Sequence, residues 1–330
     1  MKYPELIFTD DPLEKLLTVL ADSNTLLVTD PRNYPSVKNY GKTIMVKNNF
    51  YALSYEDMQN NAYNRVIGIG GCSALDIGRI YAEGIKFIAI PTVLSTSCIS
   101  VNISILRAKD ETKRIKTVIP DRTIISFPEL FRAEEKDLKK WSSSGFGDLF
   151  ANISASIDFE YKNNSFSLEN IYKNAEEAFS AMEWVLSDFN GYNNYDTLKK
   201  LATYLHNSSL DVIRRGNNEL SAGCEHKFYE TIIRQQIYSN QIQTHGILVS
   251  IGTLITILIF EKLSQNKNIF SKLKEAYKKL GLPVNYKEFL ETGIEKIHII
   301  EALKNSGTKN IMSDYFAEGD FSIMEDFNDE

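Results

Sequence analysis

The sequence predicts an α/β domain built on a parallel sheet, residues 1–140, followed by an all-helical domain, residues 141–330. Three observations predict it. Short β-branched runs recur through the first 140 residues, separated by segments long enough to cross back over a sheet, which is the pattern of parallel strands. From about Trp141 proline disappears except at Pro283, and apolar residues fall at helical spacing instead. The length, 330 residues, is enough for two domains with a core each.

In chain order, "TLLVTD" (Thr25–Asp30), "KTIMVK" (Lys42–Lys47), "RVIGIG" (Arg65–Gly70) and "KFIAIPT" (Lys86–Thr92) read as buried strands. "VNISILR" (Val101–Arg107) and "KTVIPDRTIIS" (Lys116–Ser126), joined by the polar "AKDETKRI", read as a hairpin at the edge of the first domain. The Ser/Gly-rich "SSSGFG" reads as a loop, with a helix starting near Asp148. Residues Leu168–Phe189 and Tyr195–Gly216 carry helical periodicity. The apolar run "ILVSIGTLITILIF" (Ile247–Phe260) is interrupted by Ser250, Gly252 and Thr253; at 14 residues it reads as a buried helix too short to span a bilayer. The acidic tail "EGDFSIMEDFNDE" is expected to fray.

Composition excludes some functions. With 43% hydrophobic and 24% charged residues the chain is an ordinary globular sequence. A net charge of −6 argues against nucleic acid or an anionic membrane as partner. The start, "MKYPELIFTDD", has no basic stretch followed by an apolar run, so no secretory signal is read there. Cys72, Cys98 and Cys224 are odd in number and widely spaced, which fits neither a disulfide framework nor a metal knuckle and points to a reducing cytoplasm.

Two groups of residues carry chemistry. In "RVIGIGGCSALDIGR" a strand runs through Gly68, Gly70 and Gly71 into a helix. Ser73 stands where a dinucleotide fingerprint has its third glycine, and the next strand ends in Pro91 and Thr92 with no acid, so that fingerprint fails twice. A glycine turn into a helix still offers backbone N–H groups at a positive helix end, which suits a pyrophosphate; the same residues equally make a plain strand-to-helix turn. Asp30 ends the first strand and in a parallel sheet lies on the same rim as Gly70 and Gly71; it is equally a turn-former before Pro31. In the helical half, His226 and His245 open helices, and Asp148 supplies a carboxylate. Each alone is a core histidine or a helix cap; together they form a set with open positions for a substrate oxygen on a divalent ion.

The motifs "GGCSALDIGR", "FIAIPTVLST", "TVIPDRTIIS", "GFGDLFANISASIDFEY", "GCEHKF" and "THGILVSIGTL", with the C-terminal "ETGIEKIHIIEALKNSGTKNIMSDYF", follow one another in a known order. The chain thereby resembles, over nearly its whole length, the metal-dependent polyol dehydrogenase superfamily: glycerol dehydrogenases, sn-glycerol-1-phosphate dehydrogenases, iron-containing alcohol dehydrogenases and, more distantly, 3-dehydroquinate synthase. The resemblance implies a dehydroquinate-synthase-like fold, with NAD or NADP bound between a dinucleotide-binding and a metal-binding domain. Gly70, Gly71 and Ser73 would cradle the pyrophosphate, with Asp76 in the same loop–helix unit. Thr92, Ser95 and Thr96 would line the cofactor site, and Asp30 would meet the adenosine ribose. Asp148, His226 and His245 would hold one divalent metal, zinc foremost with nickel or iron as alternatives, and form the catalytic centre. The implied reaction is hydride transfer between nicotinamide and a small polyol phosphate or its keto form, foremost sn-glycerol-1-phosphate and dihydroxyacetone phosphate, in a cytoplasmic homodimer or larger assembly.

Four positions depart from the family pattern. Cys72 stands for a glycine, Arg79 for a lysine, Ser97 for an aspartate that touches substrate hydroxyls, and Ile247 for the glutamate of His-Gly-Glu. These keep two other readings open: a dehydroquinate-synthase-like lyase or cyclase acting on a sugar phosphate, and a catalytically silent binding protein. Asp148, where that synthase carries glutamate, and "SVNISILR" argue against the first. Asp30 disfavours a ribose 2′-phosphate whereas Arg32 accommodates one, so the choice between NAD and NADP stays open.

Overall fold

The computed structural model describes residues 3–46, 63–107, 112–235, 244–266, 268–305, 309–317, 319 and 321–327. The chain begins with β1 (Glu5–Thr9), α1 (Leu13–Leu20), β2 (Thr25–Thr29), α2 (Tyr34–Val37), β3 (Lys42–Met45), β4 (Arg65–Gly70), α3 (Cys72–Tyr81) and β5 (Lys86–Pro91). A short 3-10 helix (Ser97–Ile99) leads to β6 (Ile103–Arg107), β7 (Thr112–Lys116), β8 (Arg122–Ser126), α4 (Phe127–Phe131) and the 28-residue α5 (Glu135–Lys162). Helices follow: α6 (Leu168–Asn174), α7 (Glu176–Asp188), α8 (Tyr195–Arg215), α9 (Cys224–Gln235), α10 (His245–Ser264), α11 (Ile269–Leu280), α12 (Tyr286–Glu291), α13 (Lys296–Lys304) and α14 (Ile311–Phe316). The chain divides into two compact units, residues 1–142 with 192–214, and residues 143–191 with 215–330.

The first unit is built on a six-stranded sheet in the order β1-β8-β5-β4-β2-β3, parallel at every pairing. Its core gathers Leu13 and Leu17 of α1 with Leu27, Ile67, Ile69, Ile88, Ile90 and Ile124 from four strands. β2 leads outward to β3 on one side while β4 leads to β5 on the other, so the strand order reverses between the neighbours β2 and β4. In an open α/β sheet this is where ligands bind, at the carboxyl ends of the strands. The loops that leave those two ends contain Asp30 and Gly70–Gly71.

The structure departs from the sequence reading at several elements. β1, "ELIFT", is an additional strand that pairs with β8 in register Glu5↔Arg122 to Thr9↔Ser126. The hairpin is formed by β6 and β7, so its second arm is Thr112–Lys116, which apart from Lys116 lies in the segment read as a polar turn; 108–111 lie outside the described residues. The expected second arm instead supplies β8, a strand inside the main sheet, because Ile124 and Ile125 are buried and the hydrophilic "TKRIK" suffices for an edge ribbon. The third strand ends at Met45, and Lys47 falls outside the described residues.

"SSSGFG" is not a loop. It lies within α5, and its small residues are what another helix packs against. The helical run at Leu168–Phe189 is interrupted at Ala175, whose backbone leaves the helical region (φ −114°, ψ 28°). α8 packs with the first unit although it lies within the helical half of the sequence. The tail forms a 3-10 helix, Ser322–Phe327, anchored by buried Ile323 and Phe327.

The second unit is helical. Its central α10 is 20 residues long, longer than the apolar run alone, and by length and composition is apolar enough to cross a membrane. Gly246 and Leu248–Glu261 are nevertheless buried in protein, and α10 packs against α9, α11 and α14. A helix apolar on all sides is accounted for by burial on all sides.

Candidate functional site

In the first unit, β4 ends at Gly70, whose φ of +136° lies in a region that only glycine enters readily. A Cβ there would sit 2.2 Å from Asp30 Oδ2. The two rim loops therefore touch: Gly71 N donates to Asp30 Oδ2 at 3.2 Å, and Asn33 donates from N and Nδ2 to Asp30 Oδ1 at 3.0 and 2.9 Å. Asn33 Nδ2 also donates to Thr92 Oγ1 at 3.0 Å, and Thr92 N to the Gly70 carbonyl at 3.2 Å. Asp30, Gly70, Gly71 and Thr92 are thus one hydrogen-bonded rim at the point where the strand order reverses. The N-cap of α3 is Gly71, which among the described residues brings no side-chain cap bond, and the first helical residues, Cys72 and Ser73, are half-buried. An uncapped helix end behind a glycine turn has the donor chemistry of a phosphate cradle.

The other cofactor candidates have local partners. Thr96 Oγ1 accepts from Cys98 N at 3.1 Å, capping the 3-10 helix, and lies 2.9 Å from Cys72 Sγ. The thiol that replaces a glycine therefore reaches across to the Thr96 loop. Ser95 is half-buried in the same loop. Asp76 is buried, and its carboxylate pairs with Arg79 Nη2 at 2.7 Å. Arg79 is wholly buried and also donates to the Cys98 carbonyl at 2.9 Å, so the residue in place of the family lysine braces α3 against the loop beyond β5. α8 supports that loop: Ser209 Oγ donates to the Ser97 carbonyl, and His206 Nδ1 meets Ser100 Oγ at 2.7 Å. Burial pushes His206 down to about 4.

In the second unit Asp148, His226 and His245 converge. One ligand atom from each lies within 4.8 Å of the others. Asp148 Oδ1 is 3.0 Å from His245 Nε2 and 3.6 Å from His226 Nε2, and the two Nε2 atoms are 3.2 Å apart. Three donors about 2.1 Å from a common centre at tetrahedral angles stand about 3.4 Å apart, so these spacings fit a divalent ion of zinc size. Asp148 is buried in the middle of α5, His245 is the first residue of α10 and His226 the third of α9. Burial opposes ionisation of Asp148, but hydrogen bonds from both imidazoles outweigh it and hold the carboxyl well below the usual carboxylate range. Burial likewise opposes a charge on His226, yet its bonds to Asp148 and Glu225 raise it to about 9. The His245 ring meets the Tyr229 ring edge-on at 4.4 Å.

The triad depends on close helix packing. A Cβ on Gly246 would stand 1.8 Å from the Ser144 carbonyl oxygen, and one on Gly147 would stand 2.3 Å from the Gly246 carbonyl oxygen. Ser144 Oγ accepts from Gly246 N at 3.0 Å. Backbone touching backbone sets the distance from Asp148 on α5 to His245 on α10. Sequence reasoning missed Gly147 and Gly246, which look like ordinary glycines, and Glu225, whose Oε1 lies 2.7 Å from His226 Nδ1. Neighbours in a helix point in different directions, so an acid one residue before a histidine carries no spacing signal.

No protein-family model matches the chain. It is similar to the glycerol-1-phosphate dehydrogenase [NAD(P)+] of Methanococcus aeolicus, 28% identical over 317 residues, covering 89% of this chain and 86% of the relative. The protein of the same name from Archaeoglobus fulgidus is 25% identical over 247 residues, 73% of this chain and 67% of its own. Among solved structures, the glycerol dehydrogenase of Schizosaccharomyces pombe superposes with a TM-score of 0.66 at 14% identity, covering 99% of this chain and 91% of its own. The iron-containing alcohol dehydrogenase of Corynebacterium glutamicum superposes with a TM-score of 0.62 at 12% identity, covering 98% and 95%. The expected dehydroquinate-synthase-like alcohol dehydrogenase fold is borne out.

Proposed function

We propose that this chain, a member of the metal-dependent polyol dehydrogenase superfamily, is an NAD(P)-dependent oxidoreductase that interconverts a small polyol phosphate and its keto form, with sn-glycerol-1-phosphate and dihydroxyacetone phosphate as the substrate pair. The observation that carries it is the convergence of Asp148, His226 and His245 within 4.8 Å, in a chain similar over 89% of its length to a relative of that name. Asp148 Oδ1 and the Nε2 atoms of His226 and His245 would hold the ion. A divalent ion held there would supply Lewis-acid polarisation of a substrate hydroxyl or carbonyl oxygen, and a bound nicotinamide would supply the hydride chemistry. Gly70, Gly71 and Ser73 would present the uncapped end of α3 to the pyrophosphate. Asp30 would meet the adenosine ribose; its hold on the turn through Gly71 N, with Thr92 closing the rim through Asn33, supports that reading. Ser95 and Thr96 would line the same site, Thr96 by shaping the loop after β5. Asp76 acts from behind the cradle, through Arg79.

Two properties complete the proposal. Among the described residues Cys72, Cys98 and Cys224 form no disulfide, which suits a cytoplasmic compartment. The assembly is a homodimer or larger, which light scattering on the purified chain measures.

The decisive assay loads the purified protein separately with zinc, nickel and ferrous iron, then follows NADH and NADPH oxidation with dihydroxyacetone phosphate. Oxidation that needs both metal and substrate is expected. Turnover of a sugar phosphate without net loss of NADH would transfer the chain to the synthase-like reading, and silence with every ion would favour a binding protein. His226→Ala and His245→Ala are each expected to lose the stoichiometric ion; full retention by either variant would overturn the triad.

A further inference from the structure

We infer that Glu225 is the positioning carboxylate of the candidate metal centre: it fixes the tautomer and orientation of His226 and so sets how tightly the site holds a divalent ion. The inference rests on reading Asp148, His226 and His245 as the metal ligands.

Glu225 is the second residue of α9 and is 0% exposed, an unusual place for a carboxylate. Its Oε1 accepts from Gly223 N and from His226 Nδ1, each at 2.7 Å. The side chain thus folds back over the helix start and reaches the ring of the next residue. The surroundings make room for it. A Cβ on Gly252 would come within 2.9 Å of Glu225 Cα, and one on Gly223 would come within 2.9 Å of both Glu225 Oε2 and Ala155 Cα. Glycine at these two positions lets α5 and α10 close around the carboxylate.

A helix-capping role alone does not account for this arrangement. A cap needs an acceptor at the helix start but has no need of full burial, and Glu225 Oε2 has no hydrogen-bond partner among the described residues. A buried carboxylate oxygen without a partner costs free energy that the bond to Gly223 N alone does not offset. The bond to His226 supplies a reason for retaining it. With a carboxylate at Nδ1, the ring nitrogen there carries the proton, since a lone pair would face another lone pair. Nε2, the atom that faces Asp148 Oδ1 and His245 Nε2, is then the nitrogen whose lone pair a bound ion would take, in place of the proton it otherwise shares with Asp148. A carboxylate on the far nitrogen also makes the imidazole a stronger donor to a cation. Asp148 and Glu225 together bring two carboxylates, whose charge a divalent ion neutralises.

The test uses Glu225→Gln, close in shape and able to keep the bond to Gly223 N, and Glu225→Asp, which keeps the charge but withdraws the oxygen from His226. Zinc affinity is measured by competition with a chromophoric chelator, and the cobalt-substituted proteins are compared by visible absorption. Both variants are expected to bind zinc about 10–100-fold more weakly, with an altered cobalt spectrum, while NADH affinity measured by fluorescence stays unchanged. Wild-type zinc affinity and cobalt spectrum in both variants would overturn the role of Glu225 and leave the metal centre standing. Failure of the wild-type chain to hold one equivalent of any divalent ion would overturn the metal reading and this inference with it.

Discussion

Replacing Gly246 by alanine tests the link between helix packing and the site. The added Cβ would stand 1.8 Å from the Ser144 carbonyl oxygen and 2.7 Å from its carbon. Both atoms are backbone, so no side-chain rotation relieves the clash. Since a Cβ essentially never approaches closer than about 3.0 Å, α5 and α10 must separate locally by roughly 1.2 Å. Overpacking of this kind costs about 1–3 kcal/mol of stability. The separation falls between Asp148, four residues beyond Ser144, and His245, the residue before Gly246, whose ligand atoms are 3.0 Å apart. Zinc affinity is therefore expected to fall at least about tenfold, and turnover with dihydroxyacetone phosphate about 100-fold, the scale of a 1 Å misplacement. The comparison is Gly41→Ala, where the nearest atom to the new Cβ is 3.4 Å away and ordinary packing suffices. Chelator competition, initial rates and thermal melting are measured on both variants. Wild-type metal affinity and turnover in Gly246→Ala would refute the claim that this backbone contact sets the ligand spacing.

Gly70→Ala combines a positive φ with a Cβ placed 2.2 Å from Asp30 Oδ2, so NADH affinity measured by fluorescence is expected to fall at least about tenfold while the metal stays stoichiometric. An unchanged NADH affinity would count against the cradle. His206 predicts a pH dependence. Its folded value of about 4 lies below the ordinary 6.5, so as pH falls the unfolded chain takes up this proton first. The contribution is fully present above about pH 6.5 and is lost as pH falls towards 4. By pH 5 the loss is about 2 kcal/mol. Denaturant unfolding at pH 7 and pH 5 should show that loss in the wild type and not in His206→Gln; equal slopes in the two proteins would remove His206 as the source.

Much of the site was legible because its signals are local. A strand followed by glycines and a helix is visible in "RVIGIGGCSALDIGR", and Asp30 could be placed opposite it because parallel strands bring their carboxyl ends to one rim. Asp148 reads in the sequence as a carboxylate at a helix start after a Ser/Gly-rich loop, whereas those serines and glycines are the small residues of a helix packed closely on another. Small side chains favour turns and tight helix crossings alike, and only the partner helix distinguishes the two. The hairpin differs from the sequence reading for a similar reason. Strand propensity locates a strand without naming its neighbour, and Arg122–Ser126 pairs with the distant β1 and β5.

The sequence by itself determined the strands Thr25–Thr29, Lys42–Met45, Arg65–Gly70 and Lys86–Pro91, the buried apolar helix, and the identities of the carboxylate and two histidines, because periodicity and residue type are properties of short segments. Tertiary structure decided what those residues are to one another. It brought Asp148, His226 and His245 from three helices to within 4.8 Å, joined Asp30 to Gly71, paired Asp76 with Arg79, and set Glu225 behind His226. These are contacts between backbones and side chains far apart in the chain, or between helix neighbours that point apart. Their distances are set by which glycines let two elements touch, a property that no window of sequence contains.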